Sequence, residues 1–115
     1  MPPALLSRLT QIDYDREMAF VLFDAKNDIA GVGRLVADPD GVRAEFAVLV
    51  RTDLKGHGVG SALMDKLRSY ARSRGIAEIF GDILLENGPM LALCRSMGFD
   101  ISPPSHGVVR ATLIL

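Results

Sequence analysis

With 115 residues, the chain can bury about two-thirds of its unfolded surface around one hydrophobic core and is too short for two. Its 49% hydrophobic and 23% charged residues indicate a globular fold and exclude a disordered chain. Thirteen basic and fourteen acidic residues leave a net charge of -1, so nucleic acids and anionic membrane surfaces are poor candidate partners. We expect one domain over residues 1–115.

The compartment is predicted from apolar runs and from cysteine content. Apolar runs such as residues 47–50 and 83–85 are far shorter than the roughly 20 residues needed to span a bilayer. Cys94 is the only cysteine, which excludes an intramolecular disulfide. The N-terminus lacks a basic segment followed by an apolar one. These features favour a cytoplasmic protein in a reducing environment.

The first half of the chain predicts a short helix and then three strands. Leucines at helical spacing after two prolines predict a helix over residues 5–10. Turn residues separate apolar runs at 18–24, 29–37 and 42–50, which predicts an antiparallel meander. Gly31 and Gly33 weaken the middle strand, which predicts a bulge or close packing there.

The second half alternates helices with strands. Apolar residues at helical spacing begin at Val59, and Gly75 is expected to end that helix. A buried strand is predicted over 76–85, a shorter helix over 90–97, and strands from Phe99 and over 108–115. The predicted order is therefore (helix)-β-β-β-α-β-α-β-β.

A glycine-rich loop joins the third predicted strand to the long helix. Gly56, Gly58 and Gly60 allow a tight turn in which several amides point at one spot, and the helix N-terminus adds partial positive charge. A pyrophosphate is the natural ligand. The spacing is neither the dinucleotide fingerprint, which needs glycine at Ser61, nor a nucleotide-triphosphate loop. On spacing alone, a plain turn that starts a helix is an equally good interpretation.

Two motifs in this context resemble those of the GNAT superfamily of acyl-CoA-dependent N-acetyltransferases. Residues 55–60 resemble its coenzyme A loop, with Lys55 where Gln or Arg is usual, and the segment from Asn87 to Gly98-Phe99 resembles its next helix. The resemblance covers residues 18–115. Residues 11–21 and 44–51 are most similar to the C-terminal acetyltransferase domain of bacterial protein lysine acetyltransferases.

This resemblance implies an α/β (α+β) fold with a mixed, mostly antiparallel sheet flanked by helices. Such domains begin with a strand and two helices, whereas only the helix predicted over 5–10 precedes the first hairpin strand here. We therefore expect a truncated domain that lacks the first strand and most of the first two helices. The sheet edge exposed in this way would favour a homodimer or strand exchange.

The resemblance also implies acetyl-CoA as cosubstrate. Main-chain groups at the end of the strand predicted over 42–50 would pair with the pantetheine arm, and the amides of the glycine loop would hold the pyrophosphate. His57 is expected to face solvent, and Asn87 either contacts the coenzyme or caps a helix. The implied coenzyme-binding residues are Val48, Leu49, Val50, Lys55, Gly56, His57, Gly58, Val59, Gly60, Ser61 and Asn87.

Glu45 occupies the position of a catalytic glutamate in the similar protein acetyltransferases, which implies a general base for the acceptor amine. The alternative is a strand carboxylate that pairs with Arg43 or Arg34. The family's usual general acid, a tyrosine, is replaced by Cys94, and a lone cysteine on an apolar helix face is more often packed. The acid therefore stays unassigned.

The resulting hypothesis is an N-acetyltransferase that transfers acetyl from acetyl-CoA to a protein lysine in a ternary complex, without a metal. An acyl-CoA synthetase is a candidate protein substrate by the same resemblance. Small amines are the alternative acceptors. Two hypotheses without catalysis compete with this one: an acyl-CoA-binding module, and a structural domain with an empty glycine turn.

Overall fold

A computed structural model describes residues 6–115. The strands are β1 (Leu6–Asp13), β2 (Glu17–Asp24), β3 (Ile29–Ala37), β4 (Arg43–Val50), β5 (Glu78–Leu84), β6 (Asp100–Ile101) and β7 (Val108–Ile114). The helices are α1 (Val59–Ser73) and α2 (Gly88–Ser96), and a short 3-10 helix covers Thr52–Leu54. Over the described range, neither helix has the length and apolar character needed to cross a membrane.

One mixed sheet contains all the strands, in the order β1-β2-β3-β4-β5-β7-β6. Every neighbouring pair is antiparallel except β4 and β5, which are parallel. The predicted mostly antiparallel α/β fold is therefore confirmed. The parallel pair is short, because only Arg43–Glu45 pair with Glu78–Phe80. Beyond Glu45, β4 has no pairing with β5, and a gap opens between the two strands.

The helix predicted over residues 5–10 is wrong. Residues 6–13 form β1, whose Leu9 and Ile12 pair with Leu22 and Ala19 of β2, while Leu5 lies outside the described residues. The leucine spacing fits a helix, but the backbone hydrogen bonds available along β2 and the β-branched Thr10 and Ile12 favour a strand. A strand thus does precede the hairpin, contrary to expectation, and a turn at residues 14–16 joins it directly to β2.

Helix α1 packs closely on one face of the sheet because β3 carries two glycines there. A Cβ added at Gly31 would lie 3.0 Å from side-chain atoms of Leu63 and Val59, and one at Gly33 would lie 3.3 Å from Leu63 Cβ. The close packing predicted at these glycines is confirmed. The buried core lies between this face and the helices, and it includes Leu67 and Cys94.

The opposite face of the sheet is largely exposed in the described chain. Residues in register along it include Val36, Glu45 and Phe80, which alternate with the core-facing positions. Leu49 on the same face is 73% exposed. Three ion pairs cross between strands of this face: Glu17 with Arg34, Arg43 with Glu78, and Asp82 with Arg110. An antiparallel sheet can leave one face in water in this way.

The packing of Phe46 on Gly81 gives a stability prediction. A Cβ at Gly81 would lie 2.7 Å from Phe46 Cζ, and Phe99 packs edge-on against the same ring and limits its movement. We expect Gly81→Ala to lower the free energy of unfolding by about 1–3 kcal/mol through overpacking. Urea denaturation measures it. Gly88→Ala, where a Cβ meets nothing within 4 Å, is the control, and equal stability of the two variants would contradict this packing.

Candidate active site

The glycine loop has the backbone geometry that its sequence predicts. After β4 the chain passes through the 3-10 helix into residues 55–58, where Gly56 and Gly58 have φ angles of 84° and 82°. Residues other than glycine are strained at such φ angles. The space that a Cβ would occupy at either glycine is open. The loop backbone can therefore be approached closely by a ligand.

The N-terminus of α1 is uncapped. Gly58 is the N-cap and supplies no side chain, and the first turn contains no acidic residue. The amide of Ala62 donates to the Gly58 carbonyl at 3.0 Å, but the amides of Val59, Gly60 and Ser61 have no acceptor among the described residues. Unpaired amides and the helix dipole together make a site for an anion.

A cleft of about 280 Å³ lies between the end of β4, the glycine loop and the start of α2. It brings together most of the residues predicted to bind coenzyme A: Val48, Leu49, Val50, Lys55, Gly56, Gly58, Gly60, Ser61 and Asn87. Val59 lies outside the lining because its side chain is buried in the core. His57 is exposed, as expected, and its amide donates to the Leu54 carbonyl at 3.2 Å.

Four apolar lining residues were not predicted: Leu54, Pro89, Met90 and Leu93. Their sequence signal was ambiguous, since apolar residues at helical spacing equally indicate a core-facing helix. Leu54 is buried and fixes the loop to the core, while Met90 and Leu93 are only partly buried. The cleft therefore has one apolar wall from α2 and one polar end at the loop.

The main chain of β4 faces this cleft along one edge. The Arg51 amide donates to the Ala30 carbonyl of β3 at 2.9 Å. Alternate amides of a strand point to the same side, so the amides of Val48 and Val50 point away from β3 and towards the gap beside β5. They are positioned to pair with an extended ligand in the gap.

Asn87 occupies a position that fits both of the roles predicted for it. Its Oδ1 accepts a hydrogen bond from the Met90 amide at 3.3 Å and so caps α2. The residue also lines the cleft. Because the oxygen is used by the cap, the Nδ2 group is the part left to contact a ligand.

Glu45 lies on the exposed face of the sheet, outside the cleft lining. The hypothesis that it pairs with Arg43 or Arg34 is wrong, because those arginines pair with Glu78 and Glu17. Each arginine pairs with a carboxylate on a neighbouring strand, and the sequence alone does not reveal which residues the strand register brings together. Within the described range the Glu45 carboxylate has neither a hydrogen bond nor an ion pair.

Phe80 stands beside Glu45 in the register of β4 and β5 and is covered by two guanidinium groups. Arg43 lies 4.4 Å and Arg110 4.9 Å from the centre of its ring. Asp82 hydrogen-bonds Arg110 and raises the pKa of that guanidinium, with a smaller contribution from the charge of Glu45. Glu45 is thus a carboxylate without an ion-pair partner at the rim of a cationic and aromatic cluster.

Cys94 is packed in the core and is fully buried. Burial raises the pKa of its thiol to about 11. It does not line the cleft, which fits a packing role for this residue. The two tyrosines, Tyr14 and Tyr70, line a separate cavity of about 210 Å³. No tyrosine therefore lines the cleft either.

The chain is similar in sequence to known proteins. A sequence profile described as the acetyltransferase (GNAT) family matches residues 2–99. An acetyltransferase of Pseudomonas aeruginosa is 34% identical over 100 residues, which cover 84% of this chain and 54% of that protein. The chain thus spans about half the length of this relative.

Solved structures share the fold. The GNAT domain of S. lividans PAT superposes with a TM-score of 0.78 at 24% identity, over 90% of this chain and 64% of that one. A dodecameric spermidine N-acetyltransferase from Vibrio cholerae superposes with a TM-score of 0.74 at 20% identity, over 87% of this chain and 66% of that one. At these identities the likeness establishes the architecture alone.

The burial of Cys94 predicts a slow thiol. Since only the thiolate is alkylated, a thiol whose pKa is raised to about 11 and which solvent does not reach is protected. We expect iodoacetamide at mildly alkaline pH to modify the folded protein roughly a hundredfold more slowly than the guanidinium-unfolded chain. Mass spectrometry measures the rates. Equal rates in the two states would contradict the buried position.

Proposed function

The chain belongs to the GNAT acetyltransferase family, and from this premise we propose that it transfers an acetyl group from acetyl-CoA to the amine of a protein lysine. One observation carries the proposal. Unpaired amides at the start of α1 and free amides of β4 flank a single cleft, and an unpaired carboxylate lies upstream on the same strand. The first two features fit a thioester nucleotide, and the third fits a base for an amine.

The residues present fit coenzyme A in two places. Its diphosphate would bind the amides of Gly56 and of residues 58–61, and the exposed Lys55 adds a positive charge at the cleft. Its pantetheine arm would run beside Val48 and Val50, with the apolar wall of α2 opposite. When bound, acetyl-CoA supplies the activated acyl group. The chain supplies the cleft that would hold acetyl-CoA and the exposed sheet face at which an acceptor would approach it.

The acceptor must lose a proton before it can attack. A lysine amine has an ordinary pKa of about 10.4, so it is almost entirely charged at neutral pH. Glu45 is exposed, and no ion pair with a described residue competes for its carboxylate. It would accept the ammonium proton directly or through one water. The amine nitrogen then forms the new C–N bond as the C–S bond breaks. The nitrogen releases its second proton to solvent as the amide forms, and solvent protonates the departing thiolate.

The main chain of β4 can also stabilise charge in this step. Negative charge develops on the thioester oxygen as the nitrogen attacks. Amides of Val48 and Val50 face the gap and are not used by β3. One of them could donate to that oxygen without a change in backbone conformation. This contribution depends on strand geometry, so it tolerates changes of side chain at both positions.

The open face around Glu45 favours a protein as the acceptor. A small amine is normally held in a cavity that encloses most of its surface. Glu45 lines neither of the two cavities described above, and its face of the sheet is exposed in the described chain. A lysine on a folded protein brings its own surface to cover the site. An acyl-CoA synthetase is the candidate protein, from the sequence resemblance.

The proposal predicts acetyl transfer that depends on Glu45. We expect the wild-type chain to acetylate a purified, unmodified acyl-CoA synthetase and to leave free spermidine unmodified. Glu45→Gln should lower kcat roughly a hundredfold or more, because a general base is lost, with coenzyme A affinity unchanged. Mass spectrometry of the acceptor and calorimetry with coenzyme A measure the two effects.

Glu78→Gln is the matched control, since Glu78 lies on the same face but is paired with Arg43. It should keep wild-type kcat. Acetylation of spermidine alone would overturn the protein acceptor. Coenzyme A binding with no Glu45-dependent transfer would instead indicate a binding module.

A further inference from the structure

Arg51 lies between β4 and the glycine loop and holds two carboxylates at once. Its Nε and Nη2 groups donate to the two carboxylate oxygens of Asp53 at 2.7 and 3.2 Å. Its Nη1 group donates to Asp24 Oδ2 at 2.8 Å and to the Ile29 carbonyl at 3.3 Å. The guanidinium therefore joins the start of the loop to the turn between β2 and β3.

The turn at the other end of this connection is itself well fixed. Asp24 Oδ1 accepts hydrogen bonds from the amides of Lys26 and Asp28 at 2.9 and 3.0 Å. The same turn has main-chain bonds from Asp24 to Asp28 and from Asn27 to Asp24. A rigid turn on the sheet thus anchors Arg51, and through Asp53 it anchors the 3-10 helix that leads to Gly56.

The loop needs such an anchor on this side. Its far end continues into α1, and Leu54 is buried. Between them, residues 55–58 are exposed, and Gly56 and Gly58 give the backbone more freedom than any other residue would. Ordering a flexible segment on binding costs conformational entropy. A loop held in its binding geometry beforehand avoids much of that cost.

The charges distinguish Arg51 from a direct phosphate ligand. Its hydrogen bonds to Asp53 and then Asp24 raise the pKa of the guanidinium, and the pKa of each carboxyl is lowered. For Asp53 the bond to Arg51 is the largest cause, and for Asp24 the Asp28 amide comes first and Arg51 second. Two carboxylates therefore neutralise Arg51. Lys55 lines the cleft, whereas Arg51 does not.

We propose that Arg51 is a positioning residue for coenzyme binding, which holds the glycine loop in the conformation that receives the diphosphate, while Lys55 contacts the diphosphate itself. This inference rests on the proposed function, in that coenzyme A must be the ligand of the loop. The two basic residues then act differently. Arg51 acts through loop order and Lys55 through charge.

The test is calorimetry with coenzyme A at low and high salt, on the full chain. We expect Arg51→Gln to bind roughly tenfold more weakly, because the loop loses its order and the charges of Asp24 and Asp53 are no longer balanced by Arg51. Lys55→Gln should bind more weakly and lose part of the salt dependence, because a screened charge is removed. Arg51→Lys keeps the positive charge but cannot reproduce the guanidinium's bonds to both carboxylates, so it should bind several-fold more weakly than the wild type with the wild-type salt dependence.

Arg34→Gln is the matched control, because Arg34 also forms an ion pair across the sheet, with Glu17, away from the loop. It should bind as the wild type does. Hydrogen exchange of the free Arg51→Gln variant should speed up at residues 52–58 and stay unchanged in β5 and β7. Binding by Arg51→Gln within about twofold of wild type, or a loss of salt dependence in Arg51→Lys equal to that of Lys55→Gln, would overturn the inference. Failure of the wild-type chain to bind coenzyme A would instead remove the proposed function.

Discussion

The separation of β4 from β5 after Glu45 is the constraint on which the site depends. Because parallel pairing stops at Phe80, one edge of β4 faces a gap from that point to the start of the loop. The gap leaves main-chain amides unpaired in the sheet, and the chain then turns into α1, whose first amides are also unpaired. A cleft with polar groups at one end and an apolar wall from α2 follows from this arrangement. Main-chain amides make the polar end of the cleft, and side chains of α2 make its apolar wall.

The exposed sheet face carries the proposed acceptor side of the site. The turn at residues 14–16 joins β1 directly to β2, and among the described residues the face that carries Glu45 is left largely exposed. Three ion pairs across strands hold most of the charged side chains of this face, and Glu45 belongs to none of them. The exposure of this face is the reason for proposing a protein acceptor, because a site that does not enclose its substrate favours a large partner. The match covers 54% of the Pseudomonas aeruginosa relative, so the activity of that whole protein is not assigned to this chain.

Local sequence signals predicted the parts of the structure that local physics determines. Gly56 and Gly58 need positive φ angles, and Gly75 ends α1 at a φ of 74°, so the loop and helix could be located from sequence. The leucine spacing of β1 predicts a helix, but pairing with β2 overrides that spacing. The partners of Arg34 and Arg43 could not be predicted, because cross-strand register is a property of the assembled sheet. The hydrogen bonds of Arg51 to Asp24 and to the Ile29 carbonyl depend likewise on a turn that is distant in sequence.

The most direct measurement of the central claim is a titration of the isotopically labelled chain with coenzyme A, observed through its amide NMR resonances. The account predicts large, saturable shifts at Gly56, Gly58, Gly60 and Ser61 and at Val48 and Val50, with small changes in β1, β6 and β7. Saturating coenzyme A that left the amides of the loop and of α1's first turn unmoved would contradict it.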